Sequence, residues 1–454
     1  KTWYAPNNAT MVISGKFDKT EVLQKIDQYF SPIAARTVPE AVQVPSLDAS
    51  KISQRQFSVQ KGSDFAKFHI YLNGSNSNIQ PALAVAPSLY TMQPSGSLYK
   101  SMVQTGLSTA VQSTTWLENE FNLVFMGAVY APTHDAAKVQ TALTQGVENN
   151  TAFSAVELQR IKSISQNAAE NVAKDAVALG SRLSDYAVSE RGQWTKYFQD
   201  LHAIQDLKLD TTNQTLKQFL VASQRISADI LPTPEDQKLA MTASNAVPAK
   251  TLDQSAEKAE PLKDVAAYTQ QLQQFVAQSA QQLHQTEQKI QRGELSNGIR
   301  YALFPTKMRD EKTYATISLD FGDEKSLFAK GTTLDLTSYL MMRGSTQHSL
   351  QQIIDKAIAA SGGASVSSNG NGMVINVQAK QDKFADFLAF ILEVIQQPTF
   401  ALTEFDLAKN QSLAMLDRTY TEPTTVASMT LARLLETYPA GDLRYHFEPE
   451  FAKQ

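Results

Sequence analysis

The residues best suited to chemistry are six histidines, and their spacing argues against a shared metal site. They stand at His69, His134, His202, His284, His348 and His446. No two lie within five residues of each other, so no helix carries a pair of imidazoles on one face, as hydrolytic zinc sites require. The one metal-like spacing, His446-Phe-Glu448-Pro-Glu450, is interrupted by a proline near the last residue and is interpreted as a solvated tail.

Other catalytic chemistries lack their residues as well. The chain contains no cysteine, which removes disulfides, thiolate ligands and thiol nucleophiles. It contains no G-x-S-x-G sequence and no Walker loop, so serine hydrolysis and P-loop chemistry have no support. The glycines of Gly370-Asn-Gly372 precede a predicted strand instead of following one, unlike those of a dinucleotide loop. We therefore predict no catalytic residue and no metal ligand in this chain.

The composition is that of a folded protein without a nucleic-acid or membrane-spanning signature. Of its 454 residues, 42% are hydrophobic and 19% are charged, as is usual for globular domains. A net charge of −4 leaves no broad basic surface, so nucleic acid is not an expected partner. No apolar run reaches the roughly 18 residues that a membrane span requires.

The elements around residues 315–363 form a familiar frame. Residues 315–321 are predicted to be a strand, residues 331–348 contain a helix and the turn Gly344-Ser345, and Ser349 opens a second helix. This succession resembles the pitrilysin and insulinase family of inverted zinc metallopeptidases, the inverzincins. In that family a strand leads to a helix carrying H-x-x-E-H and then to a Gly-Ser or Gly-Thr turn.

The resemblance implies where the metal chemistry would stand. Aligned on Gly344, the two histidines of the motif fall on Asp335 and Tyr339, and its glutamate falls on Ser338. A tyrosine is a poor zinc ligand at neutral pH, and a serine is too weak a base to activate water. These three residues are therefore degenerate motif positions in a domain that resembles the catalytic one but lacks its zinc ligands.

The family's third zinc ligand is a glutamate on a later helix. The corresponding helix is predicted over residues 404–418, and it offers Met415, Leu416 and Asp417 in the matching window. Asp417 together with Asp335 would supply two carboxylates without an imidazole, a poor set of ligands for zinc.

The first half of the chain also resembles the family. The opening residues 3–9 resemble the entry to its second domain, and a strand within residues 223–234 resembles the one that closes it. The resemblance implies a second, non-catalytic domain at residues 1–242, a linker with a docked helix at residues 243–285, and a third domain at residues 286–454. The first and fourth domains of the parent protein would then lie outside this chain.

The expected fold is α+β, with two related α/β roll domains joined by a partly helical linker. Their sheets are expected to be mixed, largely antiparallel and packed on helices. The predicted elements include strands at 10–14, 65–72, 123–130 and 373–379 and a long helix at 157–187. A strand, an aspartate, an amphipathic helix and a proline recur in residues 11–32 and 373–398, as in a family built from similar units. An unrelated α/β protein would instead have different strand orders in its two halves.

One peptide-binding feature is carried over from the family. In its catalytic domain an exposed edge strand pairs with extended substrate, backbone to backbone. The matching residues here are Ser365, Val366, Ser367 and Ser368, which follow Gly362-Gly363. The alternative is an ordinary solvated hairpin.

The resemblance implies that the chain is the non-catalytic middle portion of a zinc-dependent metalloendopeptidase that acts on short unfolded peptides inside a closed chamber. Zinc would be the cofactor of the parent protein, and this chain alone would bind none and cleave nothing. The expected partners are an unfolded polypeptide and the first and fourth domains, and the expected location is the bacterial periplasm. The alternative function is a pseudo-peptidase scaffold or peptide-binding module with no zinc in either half.

Overall fold

The structure, a computed structural model, describes residues 3–40, 47, 49–52, 55–61, 65–74, 76–149, 152–190, 192–234, 265–308, 310–419, 423–439, 441, 442, 444 and 445. The chain divides into two compact units, one from residues 1–233 and 309–454 and the other from residues 234–308. The candidate tail at His446, Glu448 and Glu450 lies outside the described residues. The domain boundaries inferred from the resemblance stay a prediction.

The first part of the larger unit is a five-stranded sheet with helices. Its elements are α1 (Lys19–Phe30), α2 (Ala49–Ile52), β1 (Gln56–Gln60), β2 (Ala66–Gly74), α3 (Gln80–Thr91), β3 (Ala110–Leu117), β4 (Phe121–Val129), α4 (Ala136–Glu148), α5 (Ala155–Lys174), α6 (Ala176–Ser189), α7 (Lys196–Gln205), α8 (Leu209–Phe219) and β5 (Arg225–Leu231). A π-helical turn, Tyr99–Val103, lies between α3 and β3. The strand order is β1-β5-β2-β4-β3, with β1 and β5 parallel and the other neighbours antiparallel.

The smaller unit contains a long helix and a hairpin. They are α9 (Val265–Lys289), β6 (Gln291–Glu294) and β7 (Arg300–Leu303). The helix predicted at the end of the linker is present, and its apolar residues Tyr268, Leu272 and Phe275 are exposed. Its docking stays a prediction. In the hairpin, the Tyr301 ring lies over Gly293 directly opposite it, which covers the bare backbone there.

The last part of the chain returns to the larger unit. Its elements are β8 (Lys312–Asp320), α10 (Glu324–Leu327), α11 (Gly331–Leu340), α12 (Leu350–Ala359), β9 (Gly363–Ser368), β10 (Gly372–Lys380), α13 (Phe384–Gln396), α14 (Leu402–Thr419) and α15 (Pro423–Leu434). The three strands form an antiparallel sheet in the order β8-β10-β9, so β8 and β9 are its edges.

Two stretches of the larger unit share one order of elements. In the first repeat, residues 66–174, the order is β2, α3, the π-helical turn, β3, β4, α4 and α5. In the second repeat, residues 312–419, it is β8, α11, α12, β9, β10, α13 and α14, with the short α10 added. The corresponding strands lie in the same spatial order, β2-β4-β3 and β8-β10-β9. The predicted α+β class, with largely antiparallel sheets packed on helices, is confirmed, and the equal strand orders argue against an unrelated α/β protein.

Each repeat has its own apolar core between one face of its sheet and its helices. In the first repeat, Leu83, Leu98 and Leu143 from the helical elements pack on Val124 and Met126 of β4. In the second, Phe387 and Ile391 of α13 pack on β10, whose Ile375, Val377 and Ala379 are also buried. Each fully buried large apolar side chain contributes about 1.5–3 kcal/mol to folding relative to an exposed one. We call the opposite side of each sheet its open face.

The long helix predicted over residues 157–187 is wrong in one respect, because α5 and α6 are separate. Asp175 between them is extended, and its carboxylate accepts hydrogen bonds from the backbone amides of Val177 and Ala178. It therefore acts as the N-cap of α6 and breaks the helical path. The sequence carried this signal, since aspartate is among the preferred N-cap residues, but no glycine or proline accompanied it.

The strand predicted over residues 10–14 is also wrong. These residues form no strand; Met11 and Ile13 are exposed, and the Ser14 hydroxyl donates to the carbonyl of Ala176. The apolar run lacks a neighbouring strand among the described residues, so its β propensity is not realised. The repeat inferred from residues 11–32 and 373–398 is replaced by the repeat described above. Among the described residues, no helix is long and apolar enough to cross a membrane.

Candidate functional site

Helix α11 contains Asp335, Ser338 and Tyr339, the three residues predicted to be degenerate motif positions. Leu334, Ser338 and Leu340 are buried, whereas Asp335 and Tyr339 are exposed. Because residues four apart lie on the same face of a helix, Asp335 and Tyr339 are neighbours on the exposed side. The sequence placed these residues on a helix, but it did not predict that Ser338 is only 2% exposed.

The side chains on α11 are not suited to zinc-dependent hydrolysis of a peptide bond. A carboxylate and a phenol stand where two imidazoles would be, and the Ser338 hydroxyl has no hydrogen-bond partner among the described residues. A buried neutral hydroxyl neither accepts a proton from water nor binds zinc well. Within the described part of the chain, no group of three or more histidines, aspartates and glutamates is arranged to hold a metal ion.

Arg343, one turn beyond Tyr339, ties α11 to α14. Its guanidinium carbon lies 5.1 Å from the centre of the Tyr339 ring, and its Nε donates to Glu404 Oε2 at 2.8 Å. Both charged side chains are largely buried, which strengthens this pair relative to a surface ion pair. The pair fixes the end of α11 against the helix that the resemblance pairs with the third zinc ligand.

The two described side chains in the window for that third ligand, Met415 and Leu416, are not zinc ligands of this family. Met415 on α14 is exposed and Leu416 is half-buried. The side chain of Asp417 lies outside the described residues. Glu404 of α14, which the sequence reasoning missed as a site residue, binds Arg343 just beyond the end of α11.

Strand β9 contains the candidate peptide-binding residues and lies beside α11. Ser365 and Ser367 are exposed on the open face, whereas Val366 packs against the core of the second repeat. Ser368 is paired with Met373 of β10. The structure therefore brings the degenerate motif helix and the predicted edge strand together, with one side of β9 unpaired by any described strand.

A groove that sequence reasoning missed crosses the open face of the second sheet. Its volume is about 360 Å³, and it is lined by Tyr314, Ala315, Thr316, Gly363, Ala364, Ser365, Asn376, Val377 and Gln378. The Thr316 hydroxyl donates to Asn376 Oδ1 at 2.9 Å across its floor. The alternation of polar and apolar residues along β8 and β10 was the available signal, because it predicts one polar face.

The first repeat has a different polar cluster, buried on the helix side of its sheet. His69 is fully buried, with Nε2 lying 2.9 Å from Thr144 Oγ1 of α4. The Tyr71 hydroxyl donates to Glu148 Oε1 at 3.1 Å, and Arg225 pairs with the same carboxylate. Burial, and secondly the nearby Arg225, lower the pKa of His69 to about 3. At neutral pH His69 is therefore an uncharged histidine buried in the core.

The two repeats meet along one stripe of α5. Arg160 makes a two-pronged ion pair with Asp355 of α12, with N–O distances of 2.6 and 3.0 Å. Asn167 donates to the Ile358 carbonyl at 2.9 Å, and Glu170 accepts from Lys380 at 2.7 Å. We call these contacts the α5 seam. In return, Gln411 of α14, the helix equivalent to α5, donates to the Thr109 carbonyl at 3.3 Å.

Comparison with known proteins gives a family match for the first part of the chain. Residues 1–165 match the family model for the peptidase M16 inactive domain. This part of the chain is therefore similar to the inactive domains of M16 peptidases. The resemblance to zinc proteases of the pitrilysin type is thereby confirmed, and the matched residues include β1–β4, α3, α4 and the first half of α5. No match was found among curated proteins.

Several solved structures are similar to parts or most of the chain. One is described as the inactive peptidase domain of a zinc protease from Bordetella parapertussis, with 26% identity over 39% of this chain and 97% of that one, and a TM-score of 0.35. A mutant of the ferredoxin protease FusC, solved in complex with Arabidopsis ferredoxin, has 14% identity over 96% and 50%, with a TM-score of 0.45. The periplasmic protease PqqL from Escherichia coli has 14% identity over 96% and 50%, with a TM-score of 0.38. The chain therefore spans about half the length of the last two proteins.

Proposed function

We propose that this chain is the non-catalytic middle portion of a zinc-dependent metalloendopeptidase whose zinc is held by another domain of the same protein. The observation that carries the proposal is α11, which has the helix of the peptidase motif beside an edge strand but presents Asp335 and Tyr339 outward and Ser338 inward. The similarity of residues 1–165 to M16 inactive domains supports the same assignment.

In this proposal the chain forms part of the wall of the peptidase chamber and supplies no catalytic residue. The parent protein degrades or processes short unfolded peptides inside a closed chamber, and the strand Ser365–Ser368 lines that chamber and pairs with extended peptide. Zinc-bound water in the first domain would attack the peptide bond, while this chain holds the polypeptide. A periplasmic location is part of the proposal and is checked by fractionating cells that express the whole protein.

The first experiment is metal and activity analysis of the chain alone. We expect no stoichiometric zinc after dialysis and no cleavage of unfolded peptides. One tightly held zinc per chain, or peptide cleavage abolished by a chelator, would contradict the proposal. A positive control is the double variant Asp335→His with Tyr339→His, which places two imidazoles four residues apart on the exposed face and should bind zinc measurably.

The second experiment concerns the rest of the parent protein. An H-x-x-E-H sequence upstream of Lys1, followed by a downstream glutamate, is expected if the protein is an enzyme. Substituting that glutamate should abolish cleavage by the whole protein while leaving this chain folded. Absence of the motif would favour the alternative, a pseudo-peptidase scaffold with no zinc in either half.

A further inference from the structure

The groove on the open face of the second sheet begins beside the edge strand β9. Gly363 is paired with Gln378 of β10, and Ser365 is paired with Asn376. Residues paired in register point to the same face of a sheet, so both amide side chains belong to the open face on which the groove lies. Tyr314, paired with Gln378 from the other side, forms the far wall.

Gly363 leaves the groove open towards the edge. A Cβ atom placed on Gly363 would have only one neighbour within 4 Å, the Gln378 Nε2 atom at 3.8 Å. The glycine at position 363 therefore leaves space above the strand, and close packing does not require a glycine there. Gly362 differs, because a Cβ atom there would clash with the backbone of β10.

The groove offers hydrogen bonds without charge. None of its nine lining residues is an acid, a lysine, an arginine or a histidine. Its one titratable group, the Tyr314 hydroxyl, donates to Asp310, and this bond raises the pKa of Tyr314 to about 12. The amides of Asn376 and Gln378 each combine donors with an acceptor, so they suit another amide or a hydroxyl. A charged side chain would find no partner of opposite charge among the nine lining residues.

We propose that this groove binds a neutral polar side chain, glutamine above all, from an extended peptide that pairs with the free edge of β9. The inference rests on the proposed peptide-binding role of β9 and adds a preference to it. A strand added at that edge lies about 4.8 Å from β9, and every second side chain points to the open face. The side chain opposite Gly363 meets no obstacle, and a glutamine is long enough to extend across β9 towards Gln378.

The test measures binding of two synthetic peptides by fluorescence anisotropy. Both are short, unstructured and labelled at one end; one alternates glutamine with threonine, and the other alternates alanine with threonine. The wild-type chain should prefer the glutamine peptide by about tenfold, the equivalent of roughly 1.4 kcal/mol. Equal affinity for the two peptides, or no binding of either, would overturn the inference.

Variants of β9 locate the preference. Gly363→Val fills the opening of the groove. It is expected to abolish the preference by weakening the binding of the glutamine peptide alone. Valine is favourable in a strand, so the substitution should not disturb β9 itself. Ser367→Val, on the same strand and face but outside the groove, is the matched control and should retain the preference. The inference fails if Gly363→Val still prefers glutamine, or if Ser367→Val loses the preference equally.

Two further measurements keep the outcomes distinct. Urea denaturation of Gly363→Val checks its fold, and Gln378→Leu, which removes hydrogen bonds but keeps bulk, should reduce the preference without filling the groove. If peptides bind to β9 without discrimination, the groove is not a specificity site but the role of β9 stands. If no peptide binds, the inference fails, and the zinc and cleavage measurements still decide the proposed function separately.

Discussion

The two repeats have the same strand order and both have an apolar core on the helix side, but the open faces of their sheets differ in polarity. In the second repeat the helix side is apolar, with Ile375 and Val377 buried, and the open face is polar. In the first repeat the open face carries an apolar cluster that includes Phe68, Phe125 and Ile230, while the helix side contains buried polar groups. Topology is thus retained where the two faces of the sheet have diverged.

The difference can be followed along one strand. On β2, Lys67, His69 and Tyr71 point to the helix side, where Lys67 pairs with Asp229 of β5 at 2.8 Å. The residues between them, such as Phe68, point to the open face. Strand β2 can therefore turn polar side chains towards its helices because most of their polar atoms find partners; His69 Nδ1 has none among the described residues.

The largest expected effect tests whether the two cores are equivalent. Leu143→Ala in α4 and Ile391→Ala in α13 each remove a fully buried side chain from equivalent helices. Each variant should lose about 2–5 kcal/mol of unfolding free energy, because it leaves a cavity. Urea denaturation measures this loss, and Val188→Ala, at a position 73% exposed, is the control. A loss below about 1 kcal/mol in one repeat would show that its core does not pack like the other.

The next effect is specific to the polar cluster of the first repeat. The pKa of His69 is about 3 in the folded chain and 6.5 for an unperturbed histidine, so only the unfolded state takes up this proton between those values. Stability should therefore be fully present above pH 6.5 and fall by about 1.4 kcal/mol per pH unit as the pH decreases towards 3.

The control for this effect is a second histidine. His69→Gln should reduce the pH dependence of the unfolding free energy between pH 6.5 and 5, measured by urea denaturation. His202→Gln, on the exposed side of α7, should leave the difference between these pH values as in the wild type. An unchanged pH dependence in His69→Gln would mean that His69 is protonated equally in both states.

A smaller effect is expected at the α5 seam, which joins the repeats. The side chain of Arg160 is 8% exposed and that of Asp355 is 42% exposed. A double-mutant cycle with Arg160→Ala and Asp355→Ala should give a coupling energy of about 1–2 kcal/mol, because the bond is two-pronged and partly shielded from water. The exposed pair Lys25–Glu21 within α1 should give about 0.3–0.5 kcal/mol. Equal coupling in the two cycles would contradict a shielded seam.

The smallest effect on stability concerns the two open faces. Trp116 on β3 is 55% exposed, and Tyr314 on β8 is 51% exposed. Trp116→Thr should change the unfolding free energy by less than about 1 kcal/mol, since threonine also suits a strand, but it should lower the binding of a fluorescent apolar dye. Tyr314→Thr should leave dye binding unchanged. The opposite result would assign the apolar surface to the second sheet.

The sequence was sufficient for most elements of the second repeat. There, polar and apolar residues alternate along β10, Ser349 is the N-cap of α12 with Gln352 completing a capping box, and Pro398 follows α13. Each local signal agrees with the tertiary environment, so the predictions agree with the structure. The degenerate positions on α11 were instead inferred from the family resemblance, aligned on Gly344, and they stay a prediction.

Other features depend on contacts between residues far apart in the chain. The burial of Ser338, the pairing of Arg343 with Glu404 and the shape of the groove at Gly363 arise only when α14 and β10 take their places. The buried polar side of β2 could likewise not be predicted. A lone histidine in an apolar strand does not indicate that Thr144 of α4 will be its hydrogen-bond partner. The failure at residues 10–14 has the same origin, since a strand needs a neighbour that local sequence does not specify.

Under the proposed function, the burial of Ser338 makes it difficult for α11 to acquire the peptidase motif. Histidines could be introduced one at a time at positions 335 and 339, because both positions are exposed. Glutamate at 338 would instead place a carboxylate where even a hydroxyl lacks a partner among the described residues, with a penalty of several kcal/mol. A glutamate at position 338 would therefore require the surrounding core to be repacked first.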